Sequence, residues 1–376
     1  MRNRGLGPQG TPTHFRHWWR RGIPGVMCGL IGIGALAADA SASTPVANSQ
    51  IQHGKAFYKG KTVNFLVDGS IGGSSDQWAR ALAPYVGTYL HATVNVVDPA
   101  ASVSTQAYNN VIGAAPGTGL YVGYVHLANW ISGAILGVPQ ANYNVVRDAW
   151  ITSQGGSTDV LYENSTFGDS LQQVIKDYGP GSSTPVKVLD GNPSAATNLE
   201  TRSFMGILGI NANYIRGYTS SGSELAGFIR GDAPFFITGL DQAGALLAAG
   251  KAKALAITVK PLPGALYGSL VRDVPTFSQA FAQYAPKSKL KATQIKAIDD
   301  ILNPPTNAAI IMPTSVTADK VAAMRAAFQW AYTKPALRTL LRVTDGLPDN
   351  FVQPVKAKTL FAQSLKLDKA LKPYDA

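Results

Sequence analysis

A turn rich in glycine and hydroxyl residues lies between a short apolar run and an amphipathic stretch. It runs from Gly69 to Ser74, after a predicted strand at 63–67 and before a predicted helix at 75–89. Glycine lets the backbone take a positive φ and approach a ligand closely. The N-terminus of a helix offers unpaired N–H groups and partial positive charge, which suit a small anion. The turn therefore predicts an anion-binding site, although an ordinary connection between a strand and a helix has the same composition.

The residues that open the predicted helix suggest a cap and a charged neighbour. Ser74 and Gln77 have the spacing of a capping box, which places the start of the helix at this serine. Asp76 carries a negative charge and is not expected to face a carboxylate directly. We expect it either to stabilise the N-terminus of the helix or to accept a hydrogen bond from an amino or hydroxyl group of a ligand.

Catalytic motifs are missing from the sequence. Beyond residue 42 the histidines are His53, His91 and His126, and they form no metal-binding motif. No G-x-S-x-G sequence and no phosphate-binding loop occurs, and no dinucleotide fingerprint is complete. We therefore expect a protein without enzymatic activity, cofactor or bound metal.

The charge of the chain argues against a nucleic-acid partner. The 376 residues include 33 basic and 22 acidic ones, for a net charge of +11. Loss of residues 1–40 would remove five arginines and one aspartate, which changes the net charge from +11 to +7. No basic run alternates with aromatic residues, so nucleic-acid binding is not expected. A mildly positive surface can still attract anionic solutes.

The first 42 residues have the pattern of a cleaved export signal. Five arginines precede the apolar run 25–38, and small residues at Ala38, Ala40 and Ala42 follow it. The apolar run is too short to span a membrane. The pattern leaves general secretion and twin-arginine export both open. Because Cys28 is the only cysteine, the exported chain is expected to have neither disulfides nor thiolate metal sites.

After a polar linker at 43–55, strand-like and helix-like stretches alternate. Such alternation predicts an α/β fold with largely parallel sheets, and the number of elements suits two domains. Strands are predicted at 63–67, 93–97, 119–125, 159–162, 186–189, 213–216, 234–237, 253–259 and 308–312, and helices at 75–89, 102–114, 168–178, 194–208, 223–230, 240–249, 287–302, 317–332, 335–342 and 354–371.

Residues 57–86 resemble the start of the mature extracytoplasmic receptors of tripartite tricarboxylate transporters, the Bug-type periplasmic solute-binding proteins. The matching elements are Gly60-Lys61-Thr62, Gly72-Gly73, Asp76 and Ala79-Arg80-Ala81-Leu82-Ala83-Pro84. The resemblance continues in the same order through the segments 107–123, 147–151, 250–261 and 272–277.

This resemblance implies a two-lobed type II periplasmic binding protein (Venus-flytrap) fold with a ligand cleft between the lobes. Domain 1 would comprise residues 56–153 and 258–376, and domain 2 residues 154–257. The chain would cross between the lobes near 152–158 and 257–261. Closure of the lobes around a solute would then signal that the cleft is occupied.

The resemblance also implies which residues line the cleft. The backbone N–H groups of Gly72 and Gly73 and the hydroxyls of Ser74 and Ser75 would contact a carboxylate. The other implied contacts are Asp76, Ser102, His126 and Asn129 in domain 1, and Asn192, Ser194, Ala195, Tyr218, Thr219 and Ser221 in domain 2.

Several of these residues also have purely structural explanations. Ser102 and Asn192 fit helix N-caps, His126 fits a buried core residue, and 217–222 fits a solvated loop. The sequence departs from the family at 98–103, where the family's glycines are replaced. Because no arginine lies within the candidate loops, recognition is expected to depend on backbone amides, hydroxyls and helix ends.

The function implied is a monomeric periplasmic receptor. It would capture a small organic anion, such as a di- or tricarboxylate, and deliver it to the membrane permease subunits of a tripartite transporter. One alternative is a periplasmic sensory receptor of the same fold that serves no transporter. A secreted hydrolase is a further alternative that the motifs do not favour.

Overall fold

A computed structural model of the chain has two five-stranded sheets surrounded by helices. None of the helices it describes is long and apolar enough to cross a membrane. The structure describes residues 48–67, 71, 74–98, 117–127, 129, 147–155, 158–191, 196–218, 220–261, 263–285, 306–345, 351 and 354. The predicted export signal and the predicted helices at 102–114 and 287–302 lie outside these residues, as does 355–371 of the last predicted helix.

The described elements follow the predicted alternation closely. In chain order they are α1 (Asn48–Tyr58), β1 (Thr62–Val67), α2 (Ser74–Leu90), β2 (Thr93–Val97), β3 (Tyr121–His126), β4 (Ala149–Gly155), β5 (Asp159–Asn164), α3 (Leu171–Tyr178), β6 (Val186–Leu189), α4 (Ala196–Leu208), β7 (Ala212–Ile215), α5 (Ser221–Arg230), β8 (Phe235–Gly239), α6 (Leu240–Ala248), β9 (Ala252–Ile257), a 3-10 helix (Gly268–Val271), α7 (Phe277–Tyr284), β10 (Thr306–Met312), α8 (Ala318–Ala331) and α9 (Pro335–Asp345). Strand β4 and helices α1 and α7 were not predicted.

Each sheet is mixed: four of its five described strands run in one direction, in agreement with the prediction of largely parallel sheets, and one strand runs in the opposite direction. Sheet 1 has the order β2-β1-β3-β10-β4, and sheet 2 has the order β7-β6-β8-β5-β9. In sheet 1, β10 runs antiparallel to both of its neighbours, and in sheet 2 β5 does the same. Sequence periodicity reports which side chains are buried and says nothing about strand direction, so this feature was not predictable. We call sheet 1 with its helices lobe 1, and sheet 2 with its helices lobe 2.

Lobe 2 buries both faces of its sheet. Leu161, Phe235 and Ile237 belong to the core that includes α3, α4 and α7. Their neighbours Val160 and Phe236 belong to the core that includes α5 and α6. Because alternate residues of a strand point to opposite faces, a sheet covered by helices on both faces needs continuous apolar runs. This explains why these strands were recognisable in the sequence.

Lobe 1 is built around a cluster of aromatic rings between its sheet and two helices. Phe65 of β1, Trp78 of α2 and Phe328 of α8 are fully buried and in mutual ring contact. Tyr124 of β3 adds an edge-on contact with Trp78, at 5.5 Å between ring centroids. This cluster fixes α2, and therefore the loop that precedes it, against the sheet.

Helix α1 occupies most of the segment predicted to be a linker at 43–55. The sequence around it is polar, but Gly54 and Tyr58 are buried against α8. The Tyr58 hydroxyl donates to the carbonyl oxygen of Gly119 at 3.0 Å. His53 lies 2.7 Å from the Asp319 carboxylate of α8. The helix is therefore stabilised by tertiary contacts, which local sequence patterns do not reveal.

The described residues after β9 still pack in lobe 2 beyond 257–261, the segment where the second crossing between the lobes is predicted. Val271 lies in one core of lobe 2, and Phe277 and Phe281 of α7 lie in the other. The chain reaches sheet 1 again only at Thr306, after the segment 286–305 that lies outside the described residues. The first crossing falls between Gly155 and Asp159, within the predicted range of 152–158.

The close contact between α1 and α8 predicts that Gly54 cannot be replaced by a larger residue without loss of stability. A Cβ atom at Gly54 would lie 2.2 Å from the carbonyl oxygen of Asp319 and 2.7 Å from the Cβ of Ala323. Gly54→Ala should therefore force the helices apart and lower the free energy of unfolding by about 1–3 kcal/mol, measured by urea denaturation. The matched control is Gly222→Ala in α5, where the nearest atom lies 3.9 Å away. Equal stability of the two variants would contradict this packing.

Candidate ligand-binding cleft

The ends of the parallel strands place the candidate site between the two sheets. In lobe 1, β1 and β3 end at Val67 and His126, and in lobe 2, β6 and β8 end at Leu189 and Gly239. Open α/β sheets bind ligands outside the carboxyl ends of their strands. The imidazole of His126 acts electrostatically on the carboxyl of Asp159 in lobe 2. One residue of each edge, His126 and Asp159, therefore lies within electrostatic range of the other.

The first loop leads into α2, which begins at Ser74, one residue earlier than predicted. Ser75 and Asp76 are buried in its first turn. Gly72 and Gly73, the predicted amide donors, lie outside the described residues, as does the side chain of Ser74. The contact of these residues with a carboxylate stays a prediction.

Asp76 is engaged by an arginine of its own helix. Its Oδ1 lies 2.6 Å from Nε of Arg80, and a second nitrogen of Arg80 donates to Oδ2 of Asp98 at 2.9 Å. Burial raises the pKa of Asp98, and the neighbouring Asp76 carboxylate raises it further. The arginine thus connects the helix after the first loop to the residue that opens the second loop. Ser102, predicted in that second loop, lies outside the described residues.

The third loop supplies the polar groups at the end of β3. His126 and Asn129 are both half-buried, and the His126 ring makes an edge contact with Tyr124 at 5.0 Å between centroids. The Tyr124 hydroxyl donates to Gln154 of β4, which lies beyond β10 in the same sheet. His126 therefore lies at the end of β3 against Tyr124, and its contact with a ligand stays a prediction.

Tyr218 of lobe 2 has a structural role that the sequence did not indicate. Its hydroxyl donates to Oδ2 of Asp232 at 2.6 Å, and its ring lies against Gly227 of α5. In this structure the hydroxyl proton of Tyr218 is used by Asp232, and its contact with a ligand stays a prediction. Ser221 is the first residue of α5, and the capping box is made by Ser220 and Ser223. The other predicted contacts of this lobe lie outside the described residues: Asn192, Ser194, Ala195 and Thr219.

Two arginines that flank the predicted loops bind a buried carboxylate rather than line a cleft. Asp190, directly after β6, is fully buried. Its Oδ2 accepts hydrogen bonds from Arg202 at 3.0 and 2.6 Å, and Nε of Arg216 lies 3.5 Å away. Both cations are thereby committed to lobe 2.

Glu224 of α5 is a second buried carboxyl beside Asp190. One of its oxygens accepts a hydrogen bond from the backbone N–H of Gly191. Burial raises the pKa of Glu224 to about 7, and Asp190 contributes to the rise, whereas the bond from Gly191 opposes it. Sequence reasoning missed this pair, because Asp190 and Glu224 lie on different elements.

A further cluster of acidic side chains surrounds Asp159, the first residue of β5. Burial raises the pKa of Asp159 to about 7, and the neighbouring Asp241 adds to this rise. His126 and a hydrogen bond with Glu200 act in the opposite direction. Asp241 lies in the first turn of α6, whose N-cap is Gly239. No sequence pattern predicted this cluster, apart from the acidic residue at the start of a helix.

Within the described residues, no group of three histidine, cysteine or acidic side chains is arranged to hold a metal ion. The polar groups that line the cleft edges are carboxyls, an imidazole, amides and hydroxyls. Such groups bind and orient a solute by hydrogen bonds and charge.

Comparison with known proteins identifies the fold. No protein-family model and no curated protein sequence matches the chain. Among solved structures, the periplasmic binding protein BugD is 16% identical with a TM-score of 0.67, covering 84% of this chain and 98% of its own. MatC from Rhodopseudomonas palustris with bound malate is 18% identical with a TM-score of 0.63, covering 84% and 99%. An R. palustris protein with adipate is 15% identical with a TM-score of 0.62, covering 84% and 97%.

These similarities confirm the predicted fold. The chain has the two-lobed architecture of periplasmic binding proteins, and the structures it resembles are of the type that its sequence motifs suggested. At such low identities the likeness defines architecture, and ligand and partner are considered separately below.

The buried carboxyl of Glu224 predicts a pH dependence of stability. Its pKa is raised from 4.5 to about 7 in the folded state, so the folded protein binds the proton more tightly than the unfolded chain. The stability from this group is present below pH 4.5 and is lost as pH rises towards 7. Glu224→Gln keeps an acceptor for Gly191 and removes the titration. The drop in unfolding free energy between pH 5 and pH 8 should shrink by about 1–3 kcal/mol.

The control for this measurement is Asp273→Asn, which alters an exposed carboxylate. It should leave the pH profile of urea denaturation unchanged. A profile of Glu224→Gln identical to that of the parent protein would show that Glu224 does not titrate in this range.

Proposed function

We propose that this protein is a periplasmic solute-binding receptor of the tripartite tricarboxylate transporter type. The observation that carries the proposal is the two-sheet architecture, in which His126 at the strand ends of lobe 1 lies within electrostatic range of Asp159 in lobe 2. A polar cleft between two lobes connected by crossing segments suits capture of a small solute by lobe closure. MatC and the adipate-bound protein share this architecture and hold dicarboxylates.

We infer how a carboxylate solute would be held from the hydrogen-bond donors near the cleft. Arg80, Arg202 and Arg216 are engaged with carboxylates of the protein itself. A carboxylate would therefore be held by backbone N–H groups of the glycine-rich first loop and by the N-terminus of α2. A helix N-terminus stabilises such a negative charge without a cationic side chain.

The sequence supports a periplasmic location and membrane permease subunits as partners. The basic, apolar and small-residue pattern of residues 1–42 supports export, with cleavage near Ala40 or Ala42. The receptor would then deliver its solute to the permease subunits of a tripartite transporter. A lack of catalytic motifs agrees with binding without chemical turnover.

A binding experiment tests the solute class. The exported chain, residues 41–376, should gain thermal stability from malate or adipate, and a ligand at 100-fold excess over its Kd adds about 2.7 kcal/mol. Mass spectrometry of the released solute should show it unchanged. Glucose serves as the uncharged control. Stabilisation by glucose alone, or conversion of the dicarboxylate to a product, would overturn the proposal.

A substitution in the first loop tests the site. Gly73→Val places a β-branched side chain where close approach of an anion, or a positive φ, is needed. We expect at least a tenfold rise in Kd, about 1.4 kcal/mol or more, in a protein with a near-native circular dichroism spectrum. Gly181→Val is the control, because Gly181 has a φ of 96° in an exposed turn of lobe 2. It should bind normally in isothermal titration, and a folded Gly73→Val protein of unchanged affinity would place the site elsewhere.

A further inference from the structure

Five lysines lie around the first helix of lobe 1 and its neighbour α8. Lys55 is in α1, Lys59 and Lys61 follow the end of that helix, Lys320 is in α8, and Lys334 follows α8. Lys59 and Lys61 are exposed, and the other three are half-buried. We call these five residues the basic face.

Acidic side chains are almost absent from the elements that carry the basic face. In α1, β1, α8 and the last two turns of α2, the only acidic residue is Asp319, whose carboxylate lies 2.7 Å from Nδ1 of His53. Among the residues that the structure describes, none of the five lysines forms an ion pair. The positive charge of the basic face is therefore not neutralised within these elements.

Aromatic rings lie beneath two of the ammonium groups. Nζ of Lys55 is 4.2 Å from the centre of the Tyr89 ring, and Nζ of Lys334 is 3.8 Å from the centre of the Trp330 ring. The two rings contact each other, at 5.6 Å between centroids. A pair of touching rings therefore connects these lysines.

A second pair of lysines shares one ring. Nζ of Lys61 and Nζ of Lys320 lie 4.6 and 4.0 Å from the centre of the Phe57 ring. Lys320 also donates to the carbonyl oxygen of Thr118 at 2.9 Å. An ammonium group carries three N–H donors, so a lysine held on a ring can still donate to an anion.

An array of separate lysines suits a surface that carries many anions. Lysine pairs with phosphate as a compact point charge, whereas arginine holds one carboxylate or phosphate through two parallel bonds. Tyrosine and tryptophan are enriched where an apolar interior meets water, as at a membrane surface. The composition of the basic face therefore fits the phosphates of a lipid surface better than a single small solute.

The path of the chain favours a membrane over an acidic protein as the partner. The predicted export signal ends at residue 42, and α1 begins at Asn48. The residues between them span at most about 20 Å when fully extended. As long as the signal is in the membrane, α1 and the basic face around it would therefore lie near the lipid headgroups.

The exposed lysines of the basic face lie away from the candidate cleft. Lys59 and Lys61 precede β1, whereas the cleft is at the other end of that strand, after Val67. A strand of six residues is about 20 Å long. Contact of these lysines with a membrane would therefore leave the cleft open to a solute.

We propose that the basic face binds the anionic headgroups of a membrane, so that the receptor is held reversibly at the surface in which its permease lies. The contact is electrostatic. Each lysine near an anionic surface strengthens binding about fivefold at low salt, and high salt screens the attraction. The inference rests on the proposed function for the periplasmic location alone, because occupancy of the cleft has no part in it.

The first experiment measures sedimentation of the exported chain, residues 41–376, with lipid vesicles. Vesicles of equal parts phosphatidylglycerol and phosphatidylcholine should bind the protein at low ionic strength and release it at high ionic strength. Vesicles of phosphatidylcholine alone should not bind it. Failure to bind the anionic vesicles at low salt, or equal binding to both kinds of vesicle, would overturn the proposal.

Charge variants test whether the basic face is responsible. Lys59→Gln combined with Lys61→Gln removes two charges from exposed positions and should weaken vesicle binding about twentyfold. The arginine variants at the same two positions keep the charge and should bind as the parent does. Lys176→Gln combined with Lys251→Gln removes two exposed charges from lobe 2 and is the matched control. Equal losses in the two glutamine variants would show that only net charge matters, which would contradict the proposal.

A fluorescent label tests which surface meets the lipid. Residues 41–376 have no cysteine, so Gln52→Cys in α1 and Ala226→Cys in α5 each provide one labelling position, and both are exposed. The emission of an environment-sensitive dye should shift to shorter wavelength with anionic vesicles at position 52 and stay unchanged at position 226. A shift at position 226 alone would place the lipid contact on lobe 2 and overturn the assignment.

Two further measurements separate this proposal from its neighbours. In isothermal titration, Lys59→Gln combined with Lys61→Gln should bind malate with the Kd of the parent. Absence of malate binding by the parent counts against the carboxylate function, and the vesicle experiments then decide the basic face independently. Retention on immobilised polyglutamate without vesicle binding would overturn the lipid assignment and indicate an acidic protein surface as the partner.

Discussion

Burial of carboxyl groups at the cleft edge of lobe 2 is the constraint on which the arrangement of this protein depends. An ionised carboxylate is stable away from water only where cations or hydrogen-bond donors replace the lost hydration. Asp190 receives these from Arg202 and Arg216, and Glu224 receives a backbone N–H from Gly191. These contacts fix the middle of α4, the end of β6 and the position of α5 relative to each other. The hydrogen bonds and ion pairs of Asp190 and Glu224 therefore influence both the packing of lobe 2 and the charge at its cleft edge.

Because Arg202 and Arg216 pair with Asp190, they limit how the cleft can recognise an anion. Arg80 is similarly committed, between Asp76 and Asp98 in lobe 1. A net positive protein can thus have a binding cleft whose described edges are rich in acidic groups. Attraction of an anionic solute would come from the overall field, and its specific contacts from amides and helix ends. Long-range attraction and local recognition would then be separate properties, set by different residues.

Sequence patterns predicted most of the described elements, because both lobes bury continuous apolar runs. Helix α1 escaped prediction, since its polar sequence becomes helical only through contacts of Gly54 and Tyr58 with α8. The antiparallel direction of β10 and β5 was not predicted either. In the candidate site, His126 was placed correctly at the end of β3, whereas the acidic groups around Asp159 were not foreseen. Their members come from separate elements, and only the tertiary fold brings them together.

The position of β10 has a consequence for the order in which the chain acquires its structure. This strand lies between β3 and β4, yet it follows the whole of sheet 2 in the sequence. All five strands of lobe 2 come from one continuous stretch, and its longest strand pairing, Val160 with Ile257, spans 257 − 160 = 97 positions. Sheet 1 of lobe 1 is complete only when β10, residues 306–312, pairs with β4, which closes a loop of more than a hundred residues. Because long loops slow the formation of contacts, lobe 2 is expected to fold first and lobe 1 to assemble last.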